Sequence, residues 1–301
     1  MSVLQLHKGQ RLEGKWQKNR YRVIHKLGQG ALGAVYLVES EEDQKKYAMK
    51  VSEDNLSLNR EYQLMVRFSK EGMVAEAIEI DDLELDKKRV HFIILEYIAG
   101  KNLKTYTENT GIDYLMALKL MRLLIKGTIV FGEKGYILGD LKPENIMIDE
   151  NKKEIRFIDL GGVVNIGGGI KEFTPLYDQA SWGIGERKAT EAYLCFSLTM
   201  ILVQLLIGQK LNPRNHNIQA VNKKIAGTKL SIAYRTFLNH GLKGKYTYLK
   251  DFANEVEGLY GHEKKVKQFE KMNCSQKWVD YIFIGSLSFF ILTIFLILIN
   301  Q

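Results

Sequence analysis

Ala34 to Val38 and Tyr47 to Val51 are short, largely apolar runs rich in β-branched and aromatic side chains, which predicts two strands joined as a hairpin. Apolar positions shift to helical spacing between Arg60 and Phe68. His91 to Leu95 is a short apolar run of the kind a buried strand carries. Helical spacing returns over Leu115 to Phe131, ended by Gly132 and Gly135, and the apolar run from Cys195 to Gly208 reads as a further helix. Between these two helices lie two strand-like runs, Ile146 to Ile148 and Ile155 to Ile158. Gly258 to Lys277 is polar and charged and reads as an exposed helix or linker. Tyr281 to Ile299 then gives 19 residues without a charge. At about 1.5 Å per residue, a helix of that length matches the roughly 30 Å hydrocarbon core of a bilayer. Trp278 and Tyr281 suit an interfacial belt, and Lys264, Lys265, Lys267, Lys271 and Lys277 all precede the run, so the preceding chain is expected on the cytoplasmic side and the C-terminus outside.

The short runs between the helices frame a dense set of polar groups. Tyr136 to Asp149 reads Y-I-L-G-D-L-K-P-E-N-I-M-I-D, and I-R-F-I-D-L-G-G follows. Phosphoryl transfer requires a carboxylate for the hydroxyl proton, a lysine for developing charge, and oxygen ligands for a divalent cation. Asp140, Lys142, Asn145 and Asp159 supply that set on loops bounded by strands. A D-x-K-x-x-N string alone is also an ordinary polar turn; the strand and D-L-G after it favour chemistry. Earlier, Gly28, Gly30 and Gly33 fall on G-x-G-x-x-G-x-V, a spacing shared with dinucleotide sites. A dinucleotide fold would enter a helix at once, whereas here a hairpin follows.

These motifs resemble protein kinases, and D-L-K-P-E-N in particular resembles the serine/threonine branch. The resemblance runs over roughly residues 20 to 258 and implies an α+β, bilobal protein-kinase fold followed by one C-terminal transmembrane helix. Its divisions are a basic N-terminal extension (1–17), a mostly β N-lobe (18–97), a mostly α C-lobe (98–258), a basic juxtamembrane linker (259–279) and the span (280–300). By the same resemblance ATP lies against Leu27, Gly28, Gly30, Gly33, Val35, Ala48, Lys50, Leu95, Glu96 and Tyr97. Lys50, in Y-A-M-K-V, holds the α- and β-phosphates, and Glu61 pairs with it, Glu53 being the rival. Asn145 and Asp159 hold Mg²⁺ or Mn²⁺. Asp140 and Lys142 act on the transferred group, and Thr174, in F-T-P-L-Y, contacts Asp140. The short C-lobe, the W-G-x-G-x-R-K-A run and the apolar tail are similar to the small tail-anchored, Hanks-type (eukaryotic-like) kinases of spore-forming bacteria, which implies a cell-membrane location and a link to sporulation.

Several positions depart from the family. Leu138-Gly139 replaces the usual His-Arg before the catalytic Asp, removing the arginine that reads an activation-loop phosphate, and between Asp159 and Ala180 only Thr174 and Tyr177 carry hydroxyls. Gly161-Gly162 and Gly167 to Gly169 are expected to leave that segment flexible. Gln179-Ala180-Ser181 replaces Ala-Pro-Glu, and Lys245 or Tyr246 stands where its arginine partner would be; losing both halves of a buried pair can be nearly neutral. The structural Asp of the following helix aligns with Leu194. Two functions stay open: a catalysing kinase, or a pseudokinase scaffold that binds without transfer.

Composition narrows the picture only in part. The 301 residues are 46% hydrophobic and 26% charged, enough for a sizeable core, and the two cysteines, Cys195 and Cys274, stand in no metal or disulfide spacing. The net charge of +8 is concentrated: Gly208 to Lys250 holds nine Lys or Arg and no Asp or Glu. Lys223, Lys224, Lys229, Arg235, Lys243 and Lys245 form a candidate site for DNA, bound without sequence preference, or for anionic lipid; a solvated face is the plainer alternative. Protein substrates with Ser or Thr are the expected partners. The oligomeric state is left open, a dimer included.

Overall fold

A computed structural model describes residues 5–30, 33–85, 88–110, 112–149, 154–208, 211–269 and 286. The strand-like segments near the start build one antiparallel sheet in the order β1-β2-β3-β4-β6-β5, from β1 (Arg11–Glu13), β2 (Arg20–Gln29), β3 (Ala34–Ser40), β4 (Lys46–Ser52), β5 (Ala77–Leu85) and β6 (Lys88–Glu96). Strand pairing assigns the two faces. Tyr21, Val23, Tyr36, Val38, Met49, Val51, Phe92 and Ile94 fill one of them as a closed apolar cluster. The pairings Val35↔Lys50, Lys50↔Ile93 and Ala48↔Leu95 bring Val35, Ala48, Lys50, Ile93 and Leu95 together on the other. Against that face packs α1 (Asn55–Ser69), capped by Asp54, whose carboxylate accepts from the Ser57 amide at 3.1 Å. Its buried stripe is Leu58, Glu61, Leu64, Met65 and Phe68. Helical spacing thus places one carboxylate among four apolar side chains.

Residues 1–17 are not a separate extension over their described part. β1 pairs with β2, and Leu6 and Leu12 are buried in the sheet core. The Lys15 amide donates to the Asp82 carbonyl at 2.8 Å, and buried Asp81 accepts from the amides of Trp16 and Gln17 at 3.0 and 2.8 Å, which ties β1 to β5 across the two edges of the sheet. Apolar burial and these backbone bonds draw the segment into the lobe.

Beyond residue 97 the chain is mostly helical: α2 (Leu103–Thr110), α3 (Tyr114–Glu133), α4 (Glu191–Ile207), α5 (Ile218–Ala226), α6 (Ile232–Leu242) and α7 over 249–269. A two-residue strand, β7 (Lys101–Asn102), precedes α2. α4 is buried from Tyr193 to Val203 on all sides, as its continuously apolar sequence requires, and forms the axis of this lobe. Of the exposed helix or linker expected over 258–277, and the linker assigned to 259–279, the chain forms a helix as far as residue 269, docked on the lobe rather than standing free as a linker. Leu259 and Glu263 are buried, Glu263 accepts from Ser231, Arg122 pairs with Glu257 and lies 4.4 Å over the Tyr260 ring, and Lys267 meets Asp113 at 2.7 Å. Among the described residues no helix is long and apolar enough to cross a membrane; the uncharged run from Tyr281 to Ile299 lies outside them, apart from residue 286.

Candidate active site

Two antiparallel pairs hold the polar loops in place. β8 (Tyr136–Leu138) pairs with β11 (Val163–Asn165), and β9 (Ile146–Asp149) with β10 (Glu154–Phe157), so the loop from Gly139 to Asn145 and the loop from Ile158 to Gly162 are clamped side by side. Between them the Gly139 amide donates to the Gly162 carbonyl at 2.9 Å and the Ile158 amide to the Asn145 carbonyl at 3.1 Å. The approach is close enough to require glycine. A Cβ on Gly162 would lie 2.7 Å from Asp140 Cβ, and one on Gly139 would lie 2.8 Å from the Gly162 carbonyl oxygen.

Both carboxylate oxygens of Asp140 are engaged, Oδ1 by the Thr174 hydroxyl at 2.7 Å and Oδ2 by the Lys142 ammonium. Asn145 Nδ2 lies 3.5 Å from the Asp140 carbonyl. Opposite, Lys50 Nζ donates to both oxygens of Glu61, at 2.8 and 2.6 Å, and stands 3.4 Å from Asp159 Oδ1. Burial opposes the charge on Lys50, but Glu61 and Asp159 outweigh it and hold the ammonium above its usual range. Burial likewise opposes ionisation of Asp159, yet Lys50, the Gly161 amide and Lys142 keep its carboxyl below the usual value. Glu61 goes the other way: burial lifts it to about 7 against the pull of Lys50.

The neighbouring cleft follows from strand register. Val35, Ala48 and Leu95 share the Lys50 face, with Leu95 buried at its back and Leu27 at an interruption in the β2–β3 register, 42% exposed. Gly33 passes over β4 so closely that a Cβ would lie 2.1 Å from the Val51 carbonyl oxygen. Gly28 and Gly30 face open space, so the protein's own packing does not demand glycine there. The Glu96 amide donates to the Glu76 carbonyl at 2.8 Å and its carboxylate pairs with buried Arg156, so neither group is left for an adenine ring. Any contact from the 96–98 segment, Tyr97 included, then falls to its other backbone groups.

The family model of the protein kinase domain matches residues 21–272. The chain is a protein kinase. It is 33% identical over 246 residues to the serine/threonine-protein kinase YabT of Bacillus subtilis (strain 168), an alignment covering 80% of this chain and 72% of that protein. It is 25% identical over 216 residues to the serine/threonine-protein kinase PrkC of the same organism, covering 66% of this chain and 32% of PrkC. Over 149 residues it is 29% identical to the serine/threonine-protein kinase pkn2 of Myxococcus xanthus, covering 47% of this chain and 18% of the relative. The kinase is a serine/threonine protein kinase, an enzyme of the ATP- and divalent-metal-using class whose substrates are proteins.

Several groups that shape the kinase's site were not visible in the sequence. The Tyr193 hydroxyl, in the first turn of α4, lies 3.2 Å from the Gly139 carbonyl and 3.2 Å from Asp178 Oδ1. It reaches the catalytic loop beside Leu194, the position that lacks the family's aspartate. Asp178 is fully buried and is matched by Arg187, Nε to Oδ2 at 2.9 Å, with Ser181 donating its amide as well. This pair anchors the segment whose usual Glu–Arg pair is absent. Of the two residues aligned with that missing arginine, Lys245 is exposed, whereas Tyr246 is buried and bonds Glu255 at 2.6 Å. The glycine-rich segment is not free, contrary to expectation. Gly167 donates to Ala189 at 2.8 Å, Ile170 to Arg187 at 3.0 Å and Ala189 to Gly168 at 2.8 Å, because the Trp182–Ala189 run offers backbone partners. Arg60 on α1 donates to the Val163 carbonyl, and Glu172, whose carboxyl burial and Asp159 raise, stands with Asp159 beside Gly161: a Cβ on Gly161 would be 3.1 Å from Glu172 and 3.3 Å from Asp159.

The basic residues spread over α5, α6 and the turns that follow. Lys223 and Lys224 occupy the last turn of α5, where a helix favours cations, and Arg235 lies 3.3 Å from the Ala226 carbonyl at that helix end. Lys223, Lys229, Lys243 and Lys245 are exposed. Among the described residues no ion pair engages Lys223, Lys229, Arg235, Lys243 or Lys245.

Proposed function

We propose that the kinase transfers the γ-phosphoryl group of ATP to Ser and Thr hydroxyls through Asp140, while anchored to the cell membrane by residues 280–300 with its catalytic domain on the cytoplasmic side. The observation that carries the catalytic part is the Lys50–Glu61 pair with Asp159 at 3.4 Å, facing a loop in which Asp140 already holds a hydroxyl, that of Thr174, at 2.7 Å. Asp140 accepts the proton of the acceptor hydroxyl, and Lys142 stands beside it to offset charge developing on the transferred group. Lys50, oriented by Glu61, holds the α- and β-phosphates. Bound ATP with its divalent cation supplies the phosphoryl group and neutralises its charge. Asp159, held ionised, and the Asn145 side-chain oxygen fit a hard cation such as Mg²⁺ or Mn²⁺ that takes its other ligands from phosphate and water. No cluster of three or more His, Cys, Asp or Glu among the described residues would form an all-protein cage.

The membrane part is supported by the 19 uncharged residues from Tyr281 to Ile299 and the lysines before them. A span there follows closely on α7, which is docked on the C-lobe. The carboxylate-free surface of α5 and α6 then binds a polyanion, duplex DNA or anionic lipid, and so tunes the kinase. Because Lys223 and Lys224 also serve the end of α5, the test replaces Lys223, Lys224 and Lys229 by Gln and not Glu. Affinity for duplex DNA should fall linearly on a log-log plot against salt, and the triple variant should flatten that slope. Binding to anionic vesicles alone selects lipid; binding to neither leaves the stretch a solvated face.

A further inference from the structure

A cleft of about 400 Å³ opens beside the catalytic loop, lined by Phe173, Pro175, Ser181, Arg187, Pro213 and Arg214. Phe173 and Pro175 are the immediate neighbours of Thr174, whose hydroxyl is bonded to Asp140, so the wall of the cleft begins one residue, about 3.8 Å of chain, from the catalytic carboxylate's partner. Two of the three prolines in the whole sequence stand in it. Proline has a fixed backbone and no amide to offer, and the Ser181 hydroxyl and amide are already given to Asp178 Oδ2, at 2.6 and 2.9 Å, so polar recognition falls to the guanidinium groups.

The two arginines are not equivalent. Arg187 is fixed: Nε meets buried Asp178 at 2.9 Å, Nη2 lies 3.3 Å from Ser181 Oγ, and the guanidinium rests 4.1 Å over the Phe173 ring. Asp178 matches its charge. Arg214 is exposed, and among the described residues its guanidinium makes no hydrogen bond, ion pair or ring contact, only its backbone amide being used, by Asn212 Oδ1 at 2.9 Å. Among the described residues no carboxylate lines the cleft. The surrounding stretch from Gly208 to Lys250 contains none either, so the charge of Arg214 is uncompensated locally.

We infer that this cleft receives the acceptor segment of the protein substrate and selects an anionic side chain, carboxylate or phosphate, within about three residues of the phosphorylated Ser or Thr, with Arg214 as the group that reads it. The inference rests on the kinase reading and gives that site a substrate preference. A rigid apolar floor with one free, planar cation at its edge fits an extended peptide bearing a single negative charge. A charge-assisted hydrogen bond from Arg214 should favour such a peptide about tenfold over its neutral counterpart.

The test uses the full chain in detergent with position-scanned acceptor peptides carrying Glu, phosphoserine or Gln at each of three positions on either side of one Ser. Two quantities are read: the kcat/KM ratio of anionic over neutral peptide, and the ratio of their Kd values by fluorescence anisotropy, which needs no turnover. Both should be about ten in favour of the anion, fall to near one in Arg214→Ala, and in Arg214→Glu drop below one, in favour of the neutral Gln peptide. A phosphoserine advantage over Glu would assign the cleft to previously phosphorylated substrates, and the reverse to acidic ones. Ratios near one for the unaltered kinase, or a preference that Arg214→Ala leaves intact, would overturn the inference. If no peptide accepts phosphate and the chain does not phosphorylate itself, the catalytic reading fails, while the Kd ratios still decide the cleft.

Discussion

Glu61 sits where two requirements oppose each other, since the Lys50 pair needs it ionised and its burial in α1 favours the neutral acid. Its carboxyl is raised from 4.5 to about 7. Acidification below that point protonates Glu61 and dissolves the charged pair that orients Lys50. We expect kcat/KM to fall tenfold per pH unit below about 7, with this limb absent from the residual activity of Glu61→Gln. The sign for stability is opposite. A carboxyl whose native value lies above its unfolded one takes up its proton first in the native state, so lowering the pH from 7 towards 4.5 makes this group more favourable to folding. Activity should therefore fall across pH 7 to 6 without a fall in Tm, and a matching loss of Tm would contradict the assignment. Gly139 gives a second expectation at this scale. A Cβ there meets backbone at 2.8 Å, so Gly139→Ala should cost about 1–3 kcal/mol in chemical denaturation and slow transfer. In the sequence this glycine signals only a missing arginine; its steric role depends on Gly162, in a different loop, and no local pattern carries it.

The catalytic loop is steadied by an element that reads in sequence as no more than a buried helix. Tyr193 in the first turn of α4 reaches Gly139 and Asp178, and Arg187 closes the set from the Trp182–Ala189 run. Tyr193→Phe keeps the ring and removes the hydroxyl, which should cost about 1 kcal/mol of stability and lower kcat roughly tenfold, with the KM for ATP unchanged. A merely structural role would lower the amount of folded kinase without that split. The amides of Gly167 and Ile170, donating to Ala189 and Arg187, and the Gly168 carbonyl, accepting from Ala189, with Arg60 on Val163, already hold the activation segment and α1. Activity should accordingly survive phosphatase treatment; a loss traced by phosphosite mapping to residues 160–180 would contradict this. Strands β3, β4, β6, β9 and β10 and helices α1 and α3 were legible from their local patterns, and α4 from the length of its apolar run, whereas β1 and β5 carried no such signal. The Asp178–Arg187 pair and the 167–189 contacts were not legible, since they join segments whose spacing carries no period.

At the scale of the whole kinase, the parts that hold the candidate site were legible where local chemistry demands particular residues at close spacing: Asp140 to Asn145, Asp159 to Gly162, and Gly28 to Gly33. Boundaries were less so. Residues 5–17 joined the sheet through Asp81 and Asp82, and 259–269 docked through Arg122, Ser231 and Asp113, in each case by partners more than thirty positions away. The two lobes meet in one continuous apolar cluster that runs from α1 through Leu95 and Phe157 to α4, placing Lys50 and Asp159 within 3.4 Å across the cleft. The most direct test of the account is the initial rate of phosphate transfer from Mg-ATP by the full chain in detergent, after phosphatase treatment, beside Asp140→Asn and Lys50→Ala. The account expects transfer to the kinase itself or to a generic acceptor protein, with a loss of at least about a thousandfold in either variant while the fold, followed by circular dichroism, is retained. Nucleotide binding by the unaltered chain without transfer to any acceptor, or transfer that persists in Asp140→Asn, would contradict it.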